Sequence, residues 1–211
     1  MTRYTGYTIC GSLPLQQTAL YFAVRKGRCI MSTTATRVRH LVLCALFAAL
    51  AAICSQIAIP MPWGVPINLA VFAACLAGSM LGPVWGTASL AVYVALAAIG
   101  VPVLAGFQGG PAAIFGKTGG YAVGYILTAL LTGLLARVLG RKFLPLCLAM
   151  AVGCAACYAL GTLWFMFLTH SPLFTALTLC VLPYLPADAL KIALAAFLTV
   201  QLDRRLPHGL I

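Results

Sequence analysis

The chain contains, at residues 144–168, the stretch LPLCLAMAVGCAACYALGTLWFMFL. None of these side chains is charged, and at 1.5 Å per residue a helix of this length is longer than the roughly 30 Å hydrocarbon layer of a bilayer. The whole sequence has the same character, since 63% of its 211 residues are hydrophobic and 7% are charged. Soluble domains are about 45–50% apolar and about 25% charged. This composition excludes a soluble enzyme, a coiled coil and a disordered chain, and it predicts an all-α integral membrane protein.

Further apolar runs follow one another along the chain, separated by proline and glycine. A span needs about 20 apolar residues, and Pro–Gly clusters end such runs. The pattern predicts six transmembrane helices, with a Gly-rich extracytoplasmic loop at 105–120 between the third and the fourth. The predicted spans cover residues 41–59, 68–81, 84–99, 121–139, 144–168 and, after an interrupted run at 174–185, residues 187–202.

The charge distribution predicts the orientation of these spans. Thirteen Lys and Arg residues outnumber two acidic residues, for a formal net charge of +11. Such an excess can indicate nucleic-acid binding, but here the basic residues flank apolar runs, so we expect a bilayer and no nucleic acid as partner. Because basic residues mark cytoplasmic connections, both termini are predicted to be cytoplasmic. The marking residues are Arg37, Arg39, Arg137, Arg141, Lys142, Arg204 and Arg205.

Residues 1–30 do not fit this pattern. They contain no run of span length, and the basic cluster at 25–28 would interrupt the apolar region of a signal peptide. We therefore expect an N-terminal extension at 1–30, a six-helix membrane domain at 31–211, and Met31 as the natural start. A short cytoplasmic tail is the alternative.

Two motifs that often bind ligands are rejected on spacing and context. The series Gly110…Gly116-Lys117-Thr118 is one residue too long for a phosphate-binding loop, and no acidic residue lies nearby to hold magnesium. Cys154 and Cys157 lie inside an apolar run, where cysteines act as packing residues. We expect no nucleotide site, no metal and no cofactor, so that any ATP chemistry comes from a partner.

A stripe of small residues lies on the first predicted span. Small residues in membrane helices let another backbone approach closely. The stripe would serve either for packing within the subunit or for docking of another protein. It consists of Ala45, Ala49 and Ala52 and is called the alanine face below.

Charged residues within the spans are the first candidates for a functional site, because they are costly in a membrane and mark function by default. Asp188 and Lys191 are three residues apart and share one helix face. The prolines at 183 and 186 place Asp188 in the first turn of that helix, where the helix dipole favours an anion. The sequence favours a functional pair; a self-satisfied ion pair is the structural alternative.

The Gly-rich segment supplies further candidates. Irregular backbone at membrane depth must be covered by protein or line a water-filled cavity, which predicts a lid over a cavity, with a plain connecting loop as the alternative. Phe107 offers this cavity an apolar face, Gln108 an amide, Lys117 a positive charge and Tyr121 an aromatic ring.

Together, these residues predict an outward cavity for a small, largely apolar molecule with a carboxylate at one end. Either Lys117 or Lys191 would pair with that carboxylate. Asp188 would accept hydrogen bonds from N–H groups at the other end.

Five groups of short segments stand out, in order, between about residue 38 and the C-terminus. They are ALFAALAA (45–52) with QIAIPMP (56–62), GSMLGP (78–83), IGVPVLAGFQGG (99–110), GKTGGY (116–121) and VLPYLPADALK (181–191). Together these segments resemble the BioY family, the biotin-specific substrate-capture subunits of energy-coupling-factor (ECF) transporters. The chain departs from the common family pattern Gly-Pro-Thr-Gly-Gly-Tyr at Lys117.

The resemblance implies a six-helix subunit in the bacterial cytoplasmic (inner) membrane that binds biotin in an outward cavity. It implies no ATPase in the chain itself, and as partners a membrane-embedded coupling protein and a pair of cytoplasmic ATPases. It further implies that Asp188 and Lys191 belong to the biotin site and that the coupling protein docks on the alanine face.

Two other functions compete with biotin uptake by an ECF transporter. A membrane enzyme would use Asp188 and Lys191 as an acid–base pair, but the chain lacks the additional His, Glu or metal ligands that such chemistry usually recruits. A proton-coupled or solitary transporter of a small carboxylate vitamin would use Asp188 as its relay.

Overall fold

The computed structural model describes residues 37–61 and 65–205, so the expectations for residues 1–30 and for Met31 lie outside the described residues. The described residues from 40 onward belong to one compact unit. The helices are α1 (Arg37–Gln56), α2 (Ala70–Ala98), α3 (Pro111–Ile114), α4 (Gly119–Leu139), α5 (Phe143–Thr169), α6 (Leu173–Cys180) and α7 (Leu185–Arg205). The strands are β1 (Ala58–Ile59) and β2 (Ile67–Asn68).

The fold is helical, as the composition predicts. Within the described ranges, five helices (α1, α2, α4, α5 and α7) are long and apolar enough to cross a membrane. The first span was predicted to be helical to residue 59, and this boundary is wrong. Helix α1 ends at Gln56, because Ile59 precedes Pro60 and a residue before proline disfavours the helical conformation. The chain instead forms β1, which pairs antiparallel with β2.

The predicted second and third spans, 68–81 and 84–99, correspond to the two parts of α2, which begins two residues later than predicted, ends one residue earlier and is broken at Gly82. Gly82 has φ 78° and ψ −177°, a conformation that glycine adopts without steric cost. A Cβ atom on Gly86 would lie 2.6 Å from the carbonyl oxygen of Ala77. A straight helix would hold two residues nine positions apart at about 13 Å. Segments 70–81 and 83–98 therefore fold back on each other as a helical hairpin.

The end of the chain also differs from the predicted boundaries. The interrupted run at 174–185 forms the short helix α6, and turns at 181–184 connect it to α7. Helix α7 begins at Leu185 with Pro186 in its first turn, where the missing N–H costs nothing. It continues to Arg205, beyond the predicted end at 202.

Small residues allow α4 to pack closely against the helical hairpin of residues 70–98 and against α5. A Cβ on Gly133 would lie 2.6 Å from the backbone nitrogen of Pro83, and one on Gly124 would lie 2.7 Å from Cys157 Sγ. Such contacts let helix backbones approach closely. They place the centre of the protein between 70–98, α4 and α5, with α7 also packed on the hairpin and α5.

From residue 40 to residue 55, helix α1 is fixed to segment 83–98. The rings of His40 and Trp85 stack with centroids 5.2 Å apart. Further along, Ser89 Oγ donates to the carbonyl oxygen of Cys44 at 2.9 Å. The Tyr93 hydroxyl donates to Ser55 Oγ at 2.9 Å near the end of α1. These contacts bury one face of α1.

Candidate binding site

A cavity lies where residues 65–68 and the connection 99–118 meet the first turns of α4 and α7 and the middle of α5. Its lining is largely apolar and aromatic, with a few polar groups that converge on one region, as is typical of small-molecule sites. The lining residues are Ser55, Val65, Pro66, Asn68, Val71, Leu104, Ala105, Gln108, Thr118, Tyr121, Ala122, Tyr125, Cys154, Cys157, Tyr158, Tyr184, Asp188 and Lys191.

Asp188 and Lys191 form a buried ion pair in this lining. Lys191 Nζ donates to Asp188 Oδ1 at 2.7 Å, and the two residues are 8% and 4% exposed. The spacing of one helical turn on α7 brings the two side chains together, and the first turn of the helix favours the carboxylate. Burying a single unpaired charge at this position would carry a large desolvation penalty, and the opposite charge of the partner residue offsets it.

The other carboxylate oxygen of Asp188 is held by α5. The Tyr158 hydroxyl donates to Asp188 Oδ2. Cys154 Sγ lies 3.4 Å from the same oxygen. Because Lys191, Tyr158 and Cys154 all donate to it, the carboxylate is held at one position of the cavity wall.

Asn68 of strand β2 connects the ion pair of Asp188 and Lys191 to α4 and to the start of α2. Lys191 Nζ donates to the backbone carbonyl of Asn68 at 2.6 Å. The Asn68 side-chain oxygen accepts from the Tyr125 hydroxyl at 3.3 Å and from the Ala70 amide at 3.2 Å. The last contact also satisfies an N–H group at the start of α2. One residue of β2 thus joins three helices beside the charged pair.

The Gly-rich connection contributes a wall of the cavity through Leu104, Ala105 and Gln108. Two candidates from this region lie elsewhere. Phe107 is 72% exposed, with a positive φ of 57°, and is not part of the lining. Lys117 is also exposed and outside the lining, while its neighbour Thr118 belongs to it.

Comparisons with known proteins agree with this geometry. The sequence model of the BioY family matches residues 30–208. The chain belongs to the BioY family.

Named relatives match over nearly their full lengths. The biotin transporter BioY of Thermotoga maritima is 36% identical over 169 residues, which is 79% of this chain and 96% of the relative. The probable biotin transporter BioY of Pyrococcus horikoshii is 35% identical over 168 residues, 79% of this chain and 98% of the relative. The BioY family is thus one of transporters and not of enzymes.

A solved structure of a related protein shares the fold. The crystal structure of the S-component for biotin from an ECF-type ABC transporter matches with a TM-score of 0.74 at 30% identity. The match covers 80% of this chain and 92% of that chain. The helical arrangement of this BioY family member is therefore the S-component fold, that of a multi-pass membrane protein.

The structure brings four of the six predicted site residues to one cavity: Asp188, Lys191, Gln108 and Tyr121. Sequence reasoning missed Asn68, Tyr158 and Tyr184 in this BioY family chain. Their partners are distant in sequence, as with Asn68 and Lys191, so no local spacing signals them. The sequence shows each of these three residues only as a polar or phenolic side chain next to an apolar run. That pattern is too common to identify a site residue.

Two of the three residues of the alanine face in this BioY family chain point away from the helices on which α1 packs. Ala45 and Ala49 are exposed, whereas Ala52 is partly buried and packs against the core. Cys44, Ala48 and Ala51 on the opposite side of α1 are buried. Of the two roles that the sequence leaves open for the stripe, this placement favours contact with a partner or lipid over packing within the subunit.

Proposed function

We propose that this chain binds biotin in the cavity of Asp188 and Lys191 and serves as the substrate-specific subunit of an ATP-driven ECF transporter for biotin uptake. The observation that carries the proposal is the buried ion pair in the wall of a largely apolar and aromatic cavity. Supporting it are the family match and the similarity to the S-component for biotin.

The geometry of the pair suggests which end of biotin it meets. Asp188 and Lys191 are joined at 2.7 Å, so they contact the same end of an elongated ligand. The ureido ring of biotin has two N–H donors beside a carbonyl acceptor, which complement a carboxylate acceptor beside an ammonium donor. Two of the three ammonium donors are used by Asp188 and Asn68, which leaves one for the ureido carbonyl. This differs from the alternative in which Lys191 pairs with the biotin carboxylate.

The biotin carboxylate then lies away from the pair. Among the lysines that the sequence singles out, Lys117 is left for it, because Thr118 beside it lines the cavity. The exposed position of Lys117 makes this a screened and weak interaction. Gln108 and Tyr121 complete the polar and aromatic wall, and we assign Phe107 to the outer surface of the lid.

For the membrane topology we propose six crossings with both termini cytoplasmic, in the bacterial cytoplasmic membrane. The hairpin at Gly82 supports this count, since it divides α2 into two antiparallel segments. Arg137 Nη2 lies 3.0 Å from the Cβ position of Gly82, so the hairpin turn is at the same end as the basic residues after α4. Basic connections are cytoplasmic, and the cavity is consequently at the outward end.

We further propose that a membrane-embedded coupling protein docks on the alanine face and that the paired ATPases bind through it. The exposure of Ala45 and Ala49 supports this site. Small residues allow a partner helix to approach α1 closely.

Retention of radiolabelled biotin by detergent-purified protein tests the proposed function. We expect stoichiometric, tight retention without turnover, and ATP-dependent uptake once the coupling protein and ATPases are present. No retention would contradict the proposal. Retention combined with uptake driven by a proton gradient in the absence of ATPases would favour the proton-coupled alternative, for which the buried Asp188 is the candidate relay.

A further inference from the structure

We infer that Gln56 is a positioning residue that holds the lid wall, defined as residues 104–108, against the end of α1 and thereby sets the rate at which the ligand leaves. The inference rests on the proposed function, because it treats the cavity as the ligand site. It concerns a residue outside the cavity lining.

Both the nitrogen and the oxygen of the Gln56 amide bond to the lid wall or to the residues just before it. Its Nε2 donates to the Leu104 carbonyl at 3.1 Å and, at 3.4 Å, to the Pro102 carbonyl. Its Oε1 accepts from the backbone amide of Phe107 at 3.1 Å. The planar amide offers two N–H donors and an acceptor oxygen to the carbonyl and N–H groups of this backbone segment. An apolar side chain of the same length could not form these hydrogen bonds.

The lid wall is itself a small closed unit. The Leu104 amide donates to the Gln108 carbonyl at 3.0 Å, which closes the segment into a loop. Phe107 at the tip has φ 57°, in the left-handed region that bulky residues rarely adopt. Its amide, which donates to Gln56, helps to hold this conformation. Movement at Gln56 therefore displaces the whole segment.

Leu104, Ala105 and Gln108 face the cavity, so the contacts of Gln56 act on the ligand through them. Tyr93 adds a contact at this end of α1. Its hydroxyl has one proton, which it donates to Ser55 Oγ at 2.9 Å, one residue before Gln56, and the hydroxyl oxygen lies 3.4 Å from the Val103 carbonyl. Gln56 is therefore the side chain that bonds the end of α1 to the lid wall, and opening the cavity at 104–108 requires the Gln56 bonds to break.

The experiment compares Gln56→Met, which keeps the length of the side chain and removes its hydrogen bonds, with wild-type protein and with Gln201→Met as a matched control on α7. Dissociation of tritiated biotin from purified protein is measured after dilution into unlabelled biotin. We expect the dissociation rate to rise roughly tenfold in Gln56→Met, the equivalent of about one net hydrogen bond, with a smaller change in the association rate. Gln201→Met should dissociate like the wild type.

Hydrogen exchange separates positioning from a general loss of stability. In ligand-free Gln56→Met, exchange should accelerate in peptides covering 102–108 while α4 and α5 exchange as in the wild type. Gln56→Glu keeps the acceptor for the Phe107 amide but sets a carboxylate oxygen against the carbonyl oxygens of Leu104 and Pro102, so it should dissociate at least as fast as Gln56→Met, and it decides the question if Gln56→Met does not fold.

A dissociation rate within twofold of wild type in the folded variant, or exchange that accelerates throughout the protein, would overturn the inference. A wild-type protein that retains no biotin would instead refute the proposed function, so the two failures are distinguishable.

Discussion

Lys191 Nζ lies 2.7 Å from Asp188 Oδ1, and the same ammonium group lies 2.6 Å from the backbone carbonyl of Asn68. The ammonium group of Lys191 thus donates both to a residue of its own helix and to Asn68 of strand β2, which lies 123 positions away in sequence. The pair is part of the packing as well as part of the proposed site. Any substitution in it must therefore be judged on both ligand binding and stability.

The two lysines are predicted to meet opposite ends of biotin, and biotin amide separates them. Lys191→Ala should weaken binding of biotin and of biotin amide equally, by about 1.5–3 kcal/mol, because the ureido group is common to both. Lys117→Ala should weaken biotin by at most about 1 kcal/mol and leave biotin amide unchanged. Isothermal titration calorimetry with both ligands measures the differences. A much larger loss for biotin than for biotin amide in Lys191→Ala would place the carboxylate at Lys191.

The alanine face is predicted to act in assembly and not in binding. Ala49→Trp should abolish co-purification with the coupling protein and ATP-driven uptake, because Ala49 is exposed and a bulky ring prevents close helix approach. Retention of biotin by the isolated variant should equal that of the wild type. Leu163→Trp, at an exposed position on α5 and away from the alanine face, serves as the control. If Ala49→Trp lost biotin retention and melted at a lower temperature, the stripe would pack within the subunit.

The close approach of α4 to the hairpin turn predicts a position where a single methyl group is harmful. Gly133→Ala would bring a Cβ within 2.6 Å of the Pro83 backbone nitrogen, which cannot move aside as a side chain can. Overpacking of this kind costs about 1–3 kcal/mol. The melting temperature in detergent should fall, while Val138→Ala, at an exposed position on the same helix, should leave it nearly unchanged. Equal melting temperatures for both variants would disprove the tight contact.

Deletion of residues 2–30 is predicted to leave biotin retention and membrane insertion intact. The reason is that this segment contains no span and the family match begins at residue 30. The measurement is biotin retention per milligram of membrane-extracted protein. Loss of retention in a well-expressed truncation would show that the extension belongs to the binding domain.

The sequence predicts much of the helical fold because apolar runs and their Pro–Gly boundaries are local signals. The break at Gly82–Pro83 illustrates this, since both residues signal it directly. The strands β1 and β2 escaped prediction because each has two residues, too few for an alternating pattern to be visible.

The candidate site was predictable where its geometry is local. Asp188 and Lys191 share a helix face, so their spacing alone places them together. Tyr158 and Asn68 were not predictable, because only the packing of α5 and β2 against α7 brings them to the pair. Lys117 and Phe107 were included because of their place in a Gly-rich segment, and loop conformation, which spacing does not encode, turns both to the exposed side.

The central claim is that Asp188 and Lys191 on α7 hold biotin. The most direct test measures the equilibrium dissociation constant of biotin for two variants, Asp188→Asn and, as a control, Asp203→Asn. Asp203 is the other acidic residue of the chain and pairs with Arg141 at 2.6 Å in a partly exposed salt bridge, which makes it a matched control. We predict that Asp188→Asn weakens binding by about 1.5–3 kcal/mol, because a charge-assisted acceptor is lost, while Asp203→Asn binds biotin like the wild type. Equal affinities in the two variants, with both proteins folded, would contradict the account.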